Sequence, residues 1–213
     1  MNDLVLSSLR TYWERLRAGR IAPYRAEIDP RQFEGALENM FIVERVSSDN
    51  LRIRLAGMKV CEMMGMEVRG MEPGLFVDAA DRLRFDRLLG VVMAEPAVVE
   101  ISLTAGGRQR AAMLLMPLRS DFGEINRVLG CACGPAEIGG PLVLRIDEAT
   151  ISPIEQTGAV AEARQPLPGF AEDATAFAPA PAAAPLLRKI EGNPNAPARP
   201  RDPVRRFRVI DNS

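Results

Sequence analysis

Apolar residues in this chain follow two different periods, and the order in which the periods alternate limits what it can fold into. Val5, Leu9, Tyr12, Trp13 and Leu16 recur at helical spacing, which predicts an amphipathic helix from about residue 4 to 18, stopped by Gly19. Asp29 directly before Pro30 reads as a helix cap followed by proline at the first helical position, opening a short helix through Leu37. The period then changes to two. Strands are expected at about 40 to 47 and 50 to 57, joined across Ser48-Asp49, with Leu51, Ile53 and Leu55 on one face and Arg52 and Arg54 on the other.

Met58 to Met64 fits one or two helical turns closed by Gly65, and Gly70, Pro73 and Gly74 mark a loop. From Ala79 to Met93 the positions Leu83, Phe85, Leu88, Leu89 and Val92 describe a longer helix, ended before Pro96. Three strands follow, Val98 to Ala105, Gln109 to Leu118 and Arg127 to Cys133, with Gly106-Gly107 as a hairpin turn between the first two. Strands grouped on both sides of a helical insert predict an α+β fold, a five-stranded antiparallel sheet with helices on one face.

Of the 17 prolines, all but five follow Cys133, so the periodic region and the proline-rich region divide the chain into one domain and a tail. A core of about 130 residues is ample, since a chain of that size buries roughly two-thirds of its unfolded surface. The formal net charge is -1, so no whole-protein field draws in nucleic acid or an anionic membrane. The start, Met1-Asn2-Asp3-Leu4, lacks a basic and apolar leader, and no window approaches the roughly 20 apolar residues of a membrane helix. The expected location is the cytoplasm, with neither a membrane nor a specific nucleic acid as partner.

The chain has no histidine, which removes a His-dependent triad, a His-ligated haem and a phosphoaccepting histidine together. Its three cysteines are Cys61, Cys131 and Cys133. Residues two apart in a strand face the same side, so Cys131 and Cys133 read as filling one face of a sheet, not as a metal or redox site. Asp78 and Asp81 lie at a helix start, where acidic residues complement the dipole. Gly106-Gly107 and Gly139-Gly140 form neither a dinucleotide fingerprint nor a phosphate loop. No catalytic residue and no metal site is expected, and the protein is not read as an enzyme.

Trp13, Arg20, Pro23, Arg25 and Asp29-Pro30, then Leu51-Arg52-Ile53-Arg54-Leu55-Ala56-Gly57, Gly65 and Gly70, resemble the stand-alone PAS-type family of short bacterial proteins over about residues 5 to 134. The resemblance implies a PAS fold whose sheet and helical insert can enclose a small ligand, and which dimerises through helices flanking the sheet. It implies sensing or regulation, not catalysis. The Asn-Cys-Arg-Phe signature of flavin-linked light sensors is missing, which disfavours flavin, and no cofactor is expected beyond an unknown small molecule. The boundaries are then a flanking helix and clamp segment over 1–28, a PAS-like domain over 29–134, and a tail over 135–213.

Two groups are candidate sites. Phe41, Leu55, Cys61, Met64, Phe85, Ile101, Met113 and Cys131, with Val43, Leu89, Leu103 and Leu115, are expected on inward faces, as the lining of an apolar pocket or simply as the core. Arg20, Arg25 and Arg54, with Asp29, form either an anion contact or a structural clamp in which Arg25 or Arg54 pairs with Asp29 and seats the amino-terminal segment on the sheet.

Beyond Pro135 the Ala- and Pro-rich composition predicts disorder, with Leu142 to Ile146 as a short strand or docking segment. The basic end around Phe207 to Asp211 reads as a docking motif or a solubilising tail. Two functions fit this organisation. One is a sensory module that binds a small molecule or protein partner and signals through protein contacts, with a homodimer formed by the amino-terminal helix. The other is a ligand-free adaptor that organises partners through the PAS surface and tail.

Overall fold

The strand pair that follows the short helix is the start of a six-stranded antiparallel sheet. Its strands are β1 (Met40–Ser47), β2 (Asn50–Ala56), β3 (Ala97–Ala105), β4 (Gln109–Arg119), β5 (Ile125–Cys133) and β6 (Leu144–Pro153), in the order β2-β1-β5-β4-β3-β6. The helices are α1 (Asn2–Arg17), α2 (Glu34–Leu37), α3 (Met58–Met64) and α4 (Arg82–Ala94), with 3-10 turns at Pro30–Phe33, Pro73–Phe76 and Ala79–Asp81. The computed structural model describes residues 2–48, 50–135 and 140–156. The Ala/Pro-rich stretch and the basic end expected of the tail lie outside those residues.

The local signals act as their chemistry requires. Asp29 caps the Pro30 turn by accepting from the Arg31 N–H at 3.1 Å. Gly65, at φ +68°, ends α3 by turning its N–H back onto the last carbonyls, a left-handed conformation that glycine adopts without strain.

The sheet is covered on both faces, not one. Val60, Met63 and Met64 of α3, Phe76 after it, and Phe85, Leu89 and Val92 of α4 pack on one face, against Phe41, Val43, Ile53, Val99, Ile101, Met113, Leu115 and Val128. On the other face Leu9, Tyr12 and Trp13 of α1, with Phe33 and Ala36, cover Ile42, Leu114, Met116, Leu118, Leu129, Cys131 and Cys133. Strands β4 and β5 are buried on both sides, which is why Ala111 to Leu118 reads as a nearly unbroken apolar run. Trp13 is anchored within its own chain: its indole N–H donates to the Pro117 carbonyl at 3.0 Å. In α4, Leu83 belongs to neither face and is 73% exposed.

A sixth strand adds to the five expected and lies beyond residue 134. After β5 the chain passes the end of α3, where the Leu142 N–H donates to the Met63 carbonyl at 2.7 Å, and then pairs antiparallel with β3 from Ala105↔Leu144 to Ala97↔Pro153. Leu144 and Ile146 enter the same core as α3 and α4. Prolines at 135, 141 and 153 masked this strand in the sequence, yet they sit before it or at its last position, where no ladder hydrogen bond is broken.

Candidate functional site

Of the eight residues expected to line an inner pocket, the structure brings six together. Phe41, Met64, Phe85, Ile101 and Met113 are buried under the helical insert, and Cys61 packs partly buried against them. They are close-packed. The Phe41 and Phe76 ring centroids are 4.7 Å apart, and Phe76 meets Phe85 edge-on at 6.4 Å, so aromatic rings fill the space between sheet and insert.

Leu55 and Cys131 lie on the opposite face, beneath α1. For Leu55 the reason is a bulge. Ile42 faces Leu55 and Val43 faces Ile53, so Arg54 is an extra residue, and every side chain beyond it changes face. Cys131 was assigned to the wrong side by parity: Val128 and Ala132 point into the insert core, while Leu129, Cys131 and Cys133 point towards α1. The hydrogen bond with Cys133, and then burial, push the Cys131 thiol far up from its ordinary value, so it is a packing residue and a poor nucleophile.

The arginines expected near Asp29 are not gathered there. Arg20 turns back onto the end of α1, donating to the Leu16 carbonyl at 2.7 Å and the Arg17 carbonyl at 3.0 Å, and it pairs with Glu27 at 2.9 Å. Asp29 is tied to the helix through its backbone, its N–H donating to the Tyr12 hydroxyl at 2.9 Å. Seating of the amino-terminal segment therefore runs through Arg20–Glu27 and Tyr12–Asp29, while Arg25, in the turn Arg25–Glu27, takes no part through a pair with Asp29. Arg54 pairs instead with Glu44, which also accepts from Arg127 at 2.9 Å and so links β2, β1 and β5. Burial pushes the Glu44 carboxyl upward, but the hydrogen bonds and charges of Arg54 and Arg127 outweigh it and hold it below its ordinary value.

The open space lies elsewhere. A cleft of about 680 Å³ runs between the β1–β2 hairpin (Arg45, Ser48, Leu51, Arg52), residues Met71 to Leu75, and the α4 residues Arg82, Asp86 and Gly90. None of the eight expected pocket residues lines it. Arg52 pairs with Glu72 across its wall at 3.0 Å. Arg45 Nε is buried and has no hydrogen-bond partner among the described residues. Burial, and then the charge of Glu72, push the Asp86 carboxyl above its ordinary value, with Arg82 opposing. Helical spacing of Arg82, Asp86 and Gly90 was readable, but it became a site only when the hairpin was folded against it.

A model of the PAS domain family matches residues 1–133. The chain belongs to the PAS domain family. Among solved structures, this PAS protein is similar to the light-state structure of the blue-light photoreceptor Aureochrome1 LOV, at 17% identity and a TM-score of 0.36, over 49% of this chain and 86% of that one. It is also similar, at 17% identity and a TM-score of 0.36, to a light-oxygen-voltage domain described with a flavin analogue, over 50% of this chain and 84% of that chain. No curated protein matches the chain.

Among the described residues of this PAS protein, no group of three or more Cys, Asp and Glu side chains could hold a metal ion. No helix among them is long and apolar enough to cross a membrane. PAS domains are in general sensory or regulatory, and here α4 joins the cleft to β6. It lines the cleft with Arg82 and Asp86, while next to them Asp81 and Arg84 hold both backbone groups of Ile146. The Ile146 N–H donates to Asp81 Oδ2 at 3.0 Å, and Arg84 Nη1 donates to the Ile146 carbonyl at 3.0 Å.

Proposed function

We propose that this PAS protein is a cytoplasmic regulatory module that holds a small molecule in the cleft beside the β1–β2 hairpin and passes the change to protein partners, without a reaction of its own. The observation that carries the reading is the sharing of α4 between cleft and carboxy-terminal strand. A ligand that shifts Arg82 or Asp86 moves the helix whose first residues grip β6, and β6 leads directly to residues 157–213. A ligand acts only through such a difference in contacts between two states. Partner contacts are then made by the basic end of the chain and by α1, whose outer side also serves a homodimer. Neither haem nor flavin enters this reading, since the chain has no histidine and no Asn-Cys-Arg-Phe signature.

Native mass spectrometry of the freshly purified full-length protein tests it. The expected result is a retained small molecule whose removal changes amide exchange in β6. Protein that carries nothing, binds nothing in a metabolite screen and shows unchanged exchange in β6 overturns it.

The second reading, a ligand-free adaptor, is favoured by the aromatic filling of the interior by Phe41, Phe76 and Phe85. Partner capture that is insensitive to any small molecule and lost when residues 186–213 are deleted is its expected signature.

A further inference from the structure

The cleft holds an imbalance of charge that its own residues do not resolve. Among the described residues it is lined by three guanidiniums, Arg45, Arg52 and Arg82, and two carboxylates, Glu72 and Asp86, one more positive group than negative. Arg52 is committed to Glu72 at 3.0 Å, whereas neither Arg45 nor Arg82 makes an ion pair within 4 Å among the described residues. Arg45 is held in the wall with its Nε buried and without a hydrogen-bond partner among the described residues. Arg82 is oriented by packing, its stem lying over Gly74, where a Cβ would sit 3.6 Å from its Cγ. The lining also includes the apolar side chains of Leu51, Met71 and Leu75.

We propose that the cleft is a site for a small organic monoanion, a carboxylate on an apolar body, with Arg45 and Arg82 taking the carboxylate and Leu51, Met71 and Leu75 taking the body. The proposal rests on the reading that the cleft binds a small molecule, and adds the chemical class. A guanidinium fork matches the two oxygens of a carboxylate, and a volume near 680 Å³ lies within the roughly 300–1,000 Å³ of small-molecule sites. The single excess charge among the described lining residues favours a monoanion. A phosphate monoester brings about 1.5 to 2 negative charges and meets Glu72 and Asp86 in the same walls.

The test titrates the full-length protein with octanoate, octan-1-ol and octyl phosphate by calorimetry, using Arg45→Gln, Arg82→Gln and, as a control outside the cleft, Arg54→Gln. Octanoate is expected to bind saturably at one site, about ten-fold or more tighter than the alcohol and tighter than the phosphate, with a loss of about ten-fold in each cleft variant and none in the control. Arg82 is exposed, so Arg82→Gln keeps the test sound if Arg45→Gln fails to fold. Equal binding of octanoate and octanol, preference for octyl phosphate, or full affinity in both cleft variants overturns the carboxylate assignment while leaving small-molecule binding intact. Absence of octanoate binding also overturns it, whereas the broader reading falls only if native mass spectrometry and the metabolite screen are empty too.

Discussion

The ring of Phe41 on β1 lies flat across Gly130 of β5, so close that a Cβ placed on Gly130 would stand 2.1 Å from the Phe41 Cζ. The two residues are paired in register, and Phe41 in turn supports Phe76 at 4.7 Å. The bare backbone of Gly130 is therefore part of the aromatic packing under the insert.

Gly130→Ala is expected to destabilise the domain by about 1–3 kcal/mol through overpacking, read as a lower urea midpoint at unchanged slope. Adding Phe41→Leu to it should recover part of the loss, because the two sites couple through one contact. Strict additivity of the two changes would show that the ring does not set the requirement for glycine.

Trp13 is fully buried between α1 and the sheet and donates to the Pro117 carbonyl. Trp13→Ala should cost about 3–5 kcal/mol, and Trp13→Phe less, since the larger change removes both the buried ring and the hydrogen bond. Thermal melts followed by circular dichroism will distinguish them. A mild effect of Trp13→Ala would mean that α1 docks without its anchor.

Acid stability should carry two signals of opposite sign. Glu44 is held below its ordinary value of 4.5, so its contribution is complete above that pH and is lost as pH falls through the lower folded value. Asp86 is raised above its ordinary 3.8, so its penalty is present at neutral pH and disappears as pH falls through the folded value towards 3.8. Glu44→Gln should thus flatten the acid-side decline of the melting temperature, while Asp86→Asn should raise stability slightly at pH 7 and make no difference below pH 3.8. Parallel curves for wild type and both variants between pH 3 and 7 would refute this assignment.

Asp81→Ala removes the acceptor for the Ile146 N–H. Faster exchange of the Ile146 amide is expected, with Ile42 and Leu129 amides, on strands away from β6, unchanged. If exchange at Ile146 is unaffected, the contact from Asp81, in the turn before α4, is not what protects it.

Much of this architecture was legible because local chemistry and tertiary packing agree. Asp29-Pro30 caps a turn in both readings, Gly65 ends α3, and the strands found lie within two residues of those expected for the first five. What escaped was set by long-range geometry. The bulge at Arg54 reversed the face of Leu55, and no single-strand pattern announces an extra residue opposite a partner. Covering of the second face by α1 was partly readable in the apolar run of β4, which alternation alone does not explain. The candidate site divided in the same way. Six of the eight expected inward positions lie under the insert, yet an inward position marks a core as readily as a pocket, and in the cleft Arg45 lies far in sequence from Arg82 and Asp86.

The footprint of the family, residues 1–133, ends just before β6 begins at Leu144. A fragment cut to that footprint would retain β1 to β5 and lack β6. It would uncover the edge of β3 from Ala97 to Ala105 and take Leu144 and Ile146 out of the core, leaving a bare strand ready to pair with a second copy. Self-association of such a fragment would then report on the missing strand and not on any contact made by the whole chain.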